Sequence, residues 1–85
     1  MSSGLAADME IHELDRVVLT APVPEERLEV GDVGTVVHAY ADGRGFEIEF
    51  TTLSGKTAAV VTVEASSVRP VGGREITHAR ELPKS

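Results

Sequence analysis

The residues with the most chemical potential in this 85-residue chain are Glu47 and Glu49, two carboxylates separated by one position in Phe46-Glu-Ile-Glu-Phe50. On a strand they stand about 7 Å apart on one face, a spacing at which paired carboxylates can serve as acid and base in hydrolysis. That chemistry needs a cleft and surroundings that split the two pKa values, and an open strand face offers neither. A solvated or partner-facing pair is the expectation. His38 falls opposite Glu47, where an imidazole–carboxylate contact is expected. A metal site needs further ligands, and His12 and His78 lie in the polar ends of the chain. Gly55-Lys56-Thr57 is the tripeptide that closes a phosphate loop, but it sits in a hairpin turn instead of opening a helix. Ser66 and Ser67 have no nucleophile-elbow context. No catalytic, cofactor-binding or metal-ligating residue is therefore assigned, and the protein is expected not to be an enzyme.

The elements that must position these side chains occupy Gly31–Thr62. Gly31-Asp-Val-Gly34 reads as a turn or bulge feeding a strand over Thr35–Tyr40. A second strand covers Gly45–Thr52. Asp42-Gly43 between them is a type I′ hairpin signal, which sets Ala41 opposite Arg44. Phe46, Ile48 and Phe50 then share a face with Ala39, Val37 and Thr35, while Val36, His38 and Tyr40 point outward with Glu47 and Glu49. Ser54-Gly55 is the next two-residue turn, setting Leu53 opposite Lys56 and Phe46, Ile48 and Phe50 opposite Val63, Val61 and Ala59. Both turns build the same apolar face, and a slip of one residue in either would destroy it. Tyr40 falls opposite Gly45, where its ring can cover backbone.

Around this meander lie a first strand in Leu14–Ala21, with Val17 and Val18 competing for the core side, and a proline-containing acidic loop over Pro22–Gly31 anchored by Leu28 and Val30. A single 3-10 turn at Glu64–Ser67 and a short last strand at Val68–Val71 follow. The fold expected is all-β, a small five-stranded Src-homology-3-like barrel spanning residues 13–71. Residues 1–12 form a flexible head with Leu5, Met9 and Ile11 as its possible anchors, and residues 72–85 form a polar tail or docking segment.

Composition narrows the function classes. The chain has no cysteine, which removes disulfides and thiolate chemistry. No apolar run approaches the length of a membrane span, and the first residues lack the pattern of a secretory signal; a soluble cytoplasmic protein is expected. A net charge of −6 disfavours nucleic acid, whose binders neutralise phosphate with a basic face. It suits a basic protein partner.

Leu14-Asp-Arg-Val-Val-Leu19, Pro24-Glu-Glu26, Gly31-Asp-Val-Gly-Thr-Val-Val37, Phe46-Glu-Ile-Glu-Phe50 and Gly55-Lys-Thr-Ala-Ala-Val-Val-Thr-Val63 together resemble a family of short bacterial proteins catalogued as a domain of unknown function. The resemblance covers about Glu13–Val71. It implies a single-domain accessory protein, is compatible with an antitoxin or immunity role, and carries no established activity. The Gly31–Val37 block is also similar to the KOW element of ribosomal and transcription-factor barrels. Two functions follow as expectations. The first is a non-catalytic protein-binding module, binding another protein or a second copy of itself through an outer face of Val36, His38, Tyr40, Glu47, Glu49, Ala58 and Val60. The alternative is a KOW-like nucleic-acid binder, which needs Arg16, Arg44, Arg69, Arg74 and Arg80 to cluster.

Overall fold

The computed structural model describes residues 10–83. Five antiparallel strands, β1 (Arg16–Leu19), β2 (Val33–Ala39), β3 (Gly45–Thr51), β4 (Thr57–Glu64) and β5 (Val68–Pro70), form one sheet in the order β4-β3-β2-β1-β5. The fold is all-β, with the expected 3-10 turn, Ala65–Ser67, immediately before the last strand. Among the described residues no ladder joins β4 to β5, so barrel closure is not made by strand pairing. A second 3-10 turn, Pro24–Glu26, lies in the acidic loop, which the Val23–Leu28 bridge closes. No helix among the described residues is long and apolar enough to cross a membrane.

β3 is the middle of the meander and its period-two pattern is fully expressed. Phe46, Ile48 and Phe50 are buried and pair with Val63, Val61 and Ala59 on β4. They join Val17, Leu19, Leu28, Val36 and Val68 in one core cluster. Val17 and Leu19 of β1 face that cluster, and Val18 is buried outside it; the rivalry between the two valines ends with both covered. Leu28 anchors its loop as expected, whereas Val30 is 61 % exposed and anchors nothing. Ile11 packs against the core. Leu5 and Met9, the other anchors named for the head, lie outside the described residues.

β2 departs from the expected register. Ala39 pairs with Phe46 and His38 with Glu47, but Val36 pairs with Ile48 and Thr35 with Glu49, with a bulge between Val36 and His38. A β-bulge sets two residues against one on the neighbouring strand, and here Val37 is the extra residue. Val36 is therefore not on the outer face. It is fully buried in the core, and Gly34 takes the inward position expected of Thr35. The residues just before β1 explain the shift: Leu14 N–H donates to Val36 O at 2.7 Å and Val36 N–H to Asp15 O at 2.9 Å. The β1 side holds Val36 in one frame while the hairpin holds His38 in the other. Truncating Val36 to alanine is expected to cost about 2 kcal/mol from lost burial and the cavity left behind. Val37→Ala should stay within about 0.5 kcal/mol. Urea denaturation of the two variants checks the pair, and equal losses would contradict the bulge.

The turns also differ from the two-residue form. Gly43 N–H donates to Tyr40 O at 2.9 Å and Tyr40 N–H to Gly45 O at 3.1 Å, so four residues, 41–44, form the loop inside the Tyr40–Gly45 pair. Gly43 has φ +73° while Asp42 is not in the left-handed region; a type I′ turn requires both. At the second hairpin Thr52, instead of Leu53, lies opposite Lys56, with Thr52 N–H donating to Lys56 O at 2.8 Å. A three-residue loop with Gly55 at φ +95° results. A bulge at Ala58 absorbs the change, because Phe50 pairs with Ala59 and Thr51 with Thr57. The core-facing register of β3 and β4 survives intact.

Candidate interaction surface

The outer face of the meander is built from alternate positions of β2, β3 and β4. His38 and Glu47 are register partners, yet their side chains engage different neighbours. The His38 Nδ1 atom lies 3.6 Å from Glu13 Oε2, and the His38 ring meets the Tyr40 ring edge-on with centroids 4.7 Å apart. Glu47 instead accepts a hydrogen bond from Tyr40 Oη at 3.1 Å. Glu49 accepts one from Thr57 Oγ1 at 2.6 Å. Each carboxylate thus has its own hydroxyl donor, and the Tyr40 and Thr57 hydroxyls hold them as surface acceptors.

Tyr40 also covers backbone. A Cβ built at Gly45 would stand 3.8 Å from Tyr40 Cδ2. Exposed apolar groups surround the polar ones: Val60 is 55 % exposed, Val37 40 % and Tyr40 37 %. Ala58, placed at the β4 bulge, is exposed as well. Of the seven residues assigned to this face, His38, Tyr40, Glu47, Glu49, Ala58 and Val60 are brought together and Val36 is not; Val37 stands exposed in its stead. The adjacent pair Val36-Val37 was the only hint in the sequence that β2 could carry an extra residue.

A second feature escaped sequence reasoning. The segment after β5 runs back along the domain beside a cleft of about 1030 Å³, whose walls include Leu28, Glu49, Phe50, Leu53, Ala58 and Leu82. Arg80 is its main attachment. Its Nε donates to Asp32 Oδ1 at 2.8 Å, its Nη2 donates to Asp32 Oδ2, and Nη2 also reaches Arg27 O at 3.1 Å. Burial by itself would raise the Asp32 carboxyl, but hydrogen bonds from Arg80 and from the Glu29 N–H outweigh it and hold the pKa below the usual value. Nearer β5, Arg69 forks onto Glu75 at 2.8 and 2.6 Å. That fork, together with the Gly72 N–H, lowers the Glu75 pKa to about 2. Arg69 and Arg80, two of the five arginines a basic patch would need, are thus bound to acids. Among the described residues no group of three or more histidine, aspartate or glutamate side chains could hold a metal ion.

No curated protein and no solved structure matches the chain. Residues 13–70 match a family described as a domain of unknown function, DUF4926. This span holds all five strands, the acidic loop and the whole outer face, and it leaves out the tail that carries Arg80. The chain is a member of the DUF4926 family.

Proposed function

We propose that the protein is a non-catalytic protein-binding module whose partner surface is the outer face of β2–β4. One observation carries the reading: Val37 and Tyr40 on the β2 side and Val60 on β4 stay exposed on either side of the strand that carries Glu47 and Glu49. Protein interfaces mix apolar area with hydrogen-bonding groups, and aromatic residues such as tyrosine are favoured anchors there. The hydroxyl contacts of Tyr40 and Thr57 fix these carboxylates before a partner arrives, which reduces the ordering cost of association. With a net charge of −6, the preferred partner is basic. An accessory role toward the product of a neighbouring gene, of the antitoxin or immunity kind, fits such a module.

Co-expression with that gene product, followed by affinity purification, tests the reading. The intact chain should retain the partner, and the double variant Tyr40→Ala, Val60→Glu should lose at least about tenfold of it, the scale of one buried anchor. Both positions are exposed, so the variant should fold normally. Equal retention by both chains, or none by either, would reject the outer face as the binding surface.

A further inference from the structure

The Arg80 attachment differs in kind from an ordinary surface ion pair, because its receiving side is made before the tail arrives. Asp32 Oδ2 accepts the Glu29 N–H at 2.8 Å, and the Asp32 N–H donates back to Glu29 O at 3.0 Å. This loop alone sets the direction of the carboxylate. Arg27 ends the first 3-10 turn in the left-handed conformation, φ +60°, and its carbonyl offers a third acceptor. Glu29 adds a second carboxylate 3.7 Å from Arg80 Nε. A fork of planar donors is what such a set of acceptors fits, and a guanidinium supplies it where an ammonium does not. The fit is close: 27 % of the Arg80 side chain and 17 % of the Asp32 side chain remain exposed.

The tail itself is poorly held. Beyond the Glu75 staple, Ile76–Pro83 forms no strand or helix, Ile76 is 93 % exposed, and the other polar contact to the body is Arg27 Nη1 to Pro83 O at 3.4 Å. The recess lies inside the family-matched span and the arginine filling it lies outside. From the recess the cleft continues past Leu28 and Phe50 to Leu53 and Ala58, with Leu82 of the tail on its wall.

We propose that the recess of Asp32, Glu29 and the Arg27 carbonyl is an arginine-recognition site for an extended basic segment of a partner protein, and that Ile76–Pro83 occupies it as an intramolecular competitor. The segment it fits carries an arginine followed two residues later by an apolar side chain, as Arg80 and Leu82 do. Charge complementarity selects it: removal of Arg80 leaves Asp32 and Glu49 on the walls, and Glu29 beside the vacated guanidinium position, against Arg16. The inference rests on the protein-binding reading and specifies the partner's chemistry at the end of the outer face where Glu49 and Ala58 adjoin the cleft.

The probe is a fluorescein-labelled peptide with the sequence of residues 76–85, added to the full-length chain and followed by anisotropy. The Arg80→Ala chain, its recess vacated, should bind the peptide at least about fivefold more tightly than the wild-type chain, because a partly buried intramolecular ion pair no longer competes. A peptide carrying Glu81→Lys should bind more tightly still, and one carrying Arg80→Lys more weakly. Asp32→Asn on the Arg80→Ala background should abolish saturable binding while the far-UV spectrum stays unchanged. Equal binding by the wild-type and Arg80→Ala chains, no binding by either, or binding that survives Asp32→Asn would overturn the proposal. A wild-type dimer that Arg80→Ala dissociates would make a second copy the occupant and overturn the partner assignment. Peptide failure alongside partner capture that is sensitive to Val60→Glu would reject the recess alone and leave the outer face standing.

Discussion

Replacing Ile48 with alanine should remove much of the domain's stability. Ile48 is completely buried at the centre of β3, with Val36 opposite it on β2 and Val61 on β4. Removing its branched side chain from a close-packed site costs about 2–5 kcal/mol, the higher figure where neighbours cannot collapse into the space. Here they are held by ladders on both sides, so the cavity should persist. A domain of about 60 residues carries roughly 3–9 kcal/mol in total, which the loss consumes in large part. Urea denaturation followed by circular dichroism provides the measurement, with Ile48→Val as the graded control at about 0.5–1.5 kcal/mol. A loss for Ile48→Ala below 1 kcal/mol would mean that β3 is not the centre of the core.

Adding a single methyl group at Gly34 should be nearly as damaging. A Cβ there would stand 2.5 Å from Ile48 Cγ2, 2.9 Å from Phe50 Cε1 and 3.0 Å from Glu49 O. Ile48 is stiff at its branch point, Phe50 is itself buried, and the carbonyl belongs to the neighbouring backbone, so none can retreat cheaply. Gly34 has no positive φ; packing, not backbone conformation, demands the glycine. Alanine would gain up to about 1 kcal/mol by restricting the unfolded chain, but overpacking costs about 1–3 kcal/mol. The expected net result is a lower denaturation midpoint for Gly34→Ala and a larger fall for Gly34→Val. A stabilised Gly34→Ala chain would show that β2 and β3 can move apart at this point.

These two positions show where physical patterning is readable in a sequence. Phe46, Ile48 and Phe50 alternate with carboxylates and face a second alternating run at Ala59, Val61 and Val63, so one register satisfies both strands. Their pairing with β4 was therefore determinate without coordinates. β2 has no such property. Val36 and Val37 are adjacent, equally β-branched and equally suited to either face, and the choice is made by Asp15 and Leu14, more than twenty positions earlier. Hairpin chemistry misled in another way: Asp42-Gly43 does mark the turn, but a longer loop needs the left-handed conformation at the glycine alone. The Arg80–Asp32 attachment joins residues 48 positions apart with no periodicity to announce it. A lone arginine in a polar tail has the same signature whether it is solvated or docked.

The extra residue in β2 makes this strand a joint between two reading frames. Residues up to Val36 are indexed by the first strand and the two residues before it, and residues from His38 onward by the hairpin. Chain length at that joint is decoupled from which side faces the core, because one residue more or less there leaves the inward set on either side unchanged. At Thr35, the same change in length would turn Val33 and Gly34 over. Length differences among homologous chains should accordingly collect at Val37, and an aligned homologue whose gap falls at Thr35 instead would contradict this. The bulge therefore also makes β2 the strand at which the outer face can be rebuilt while the core keeps its pairing.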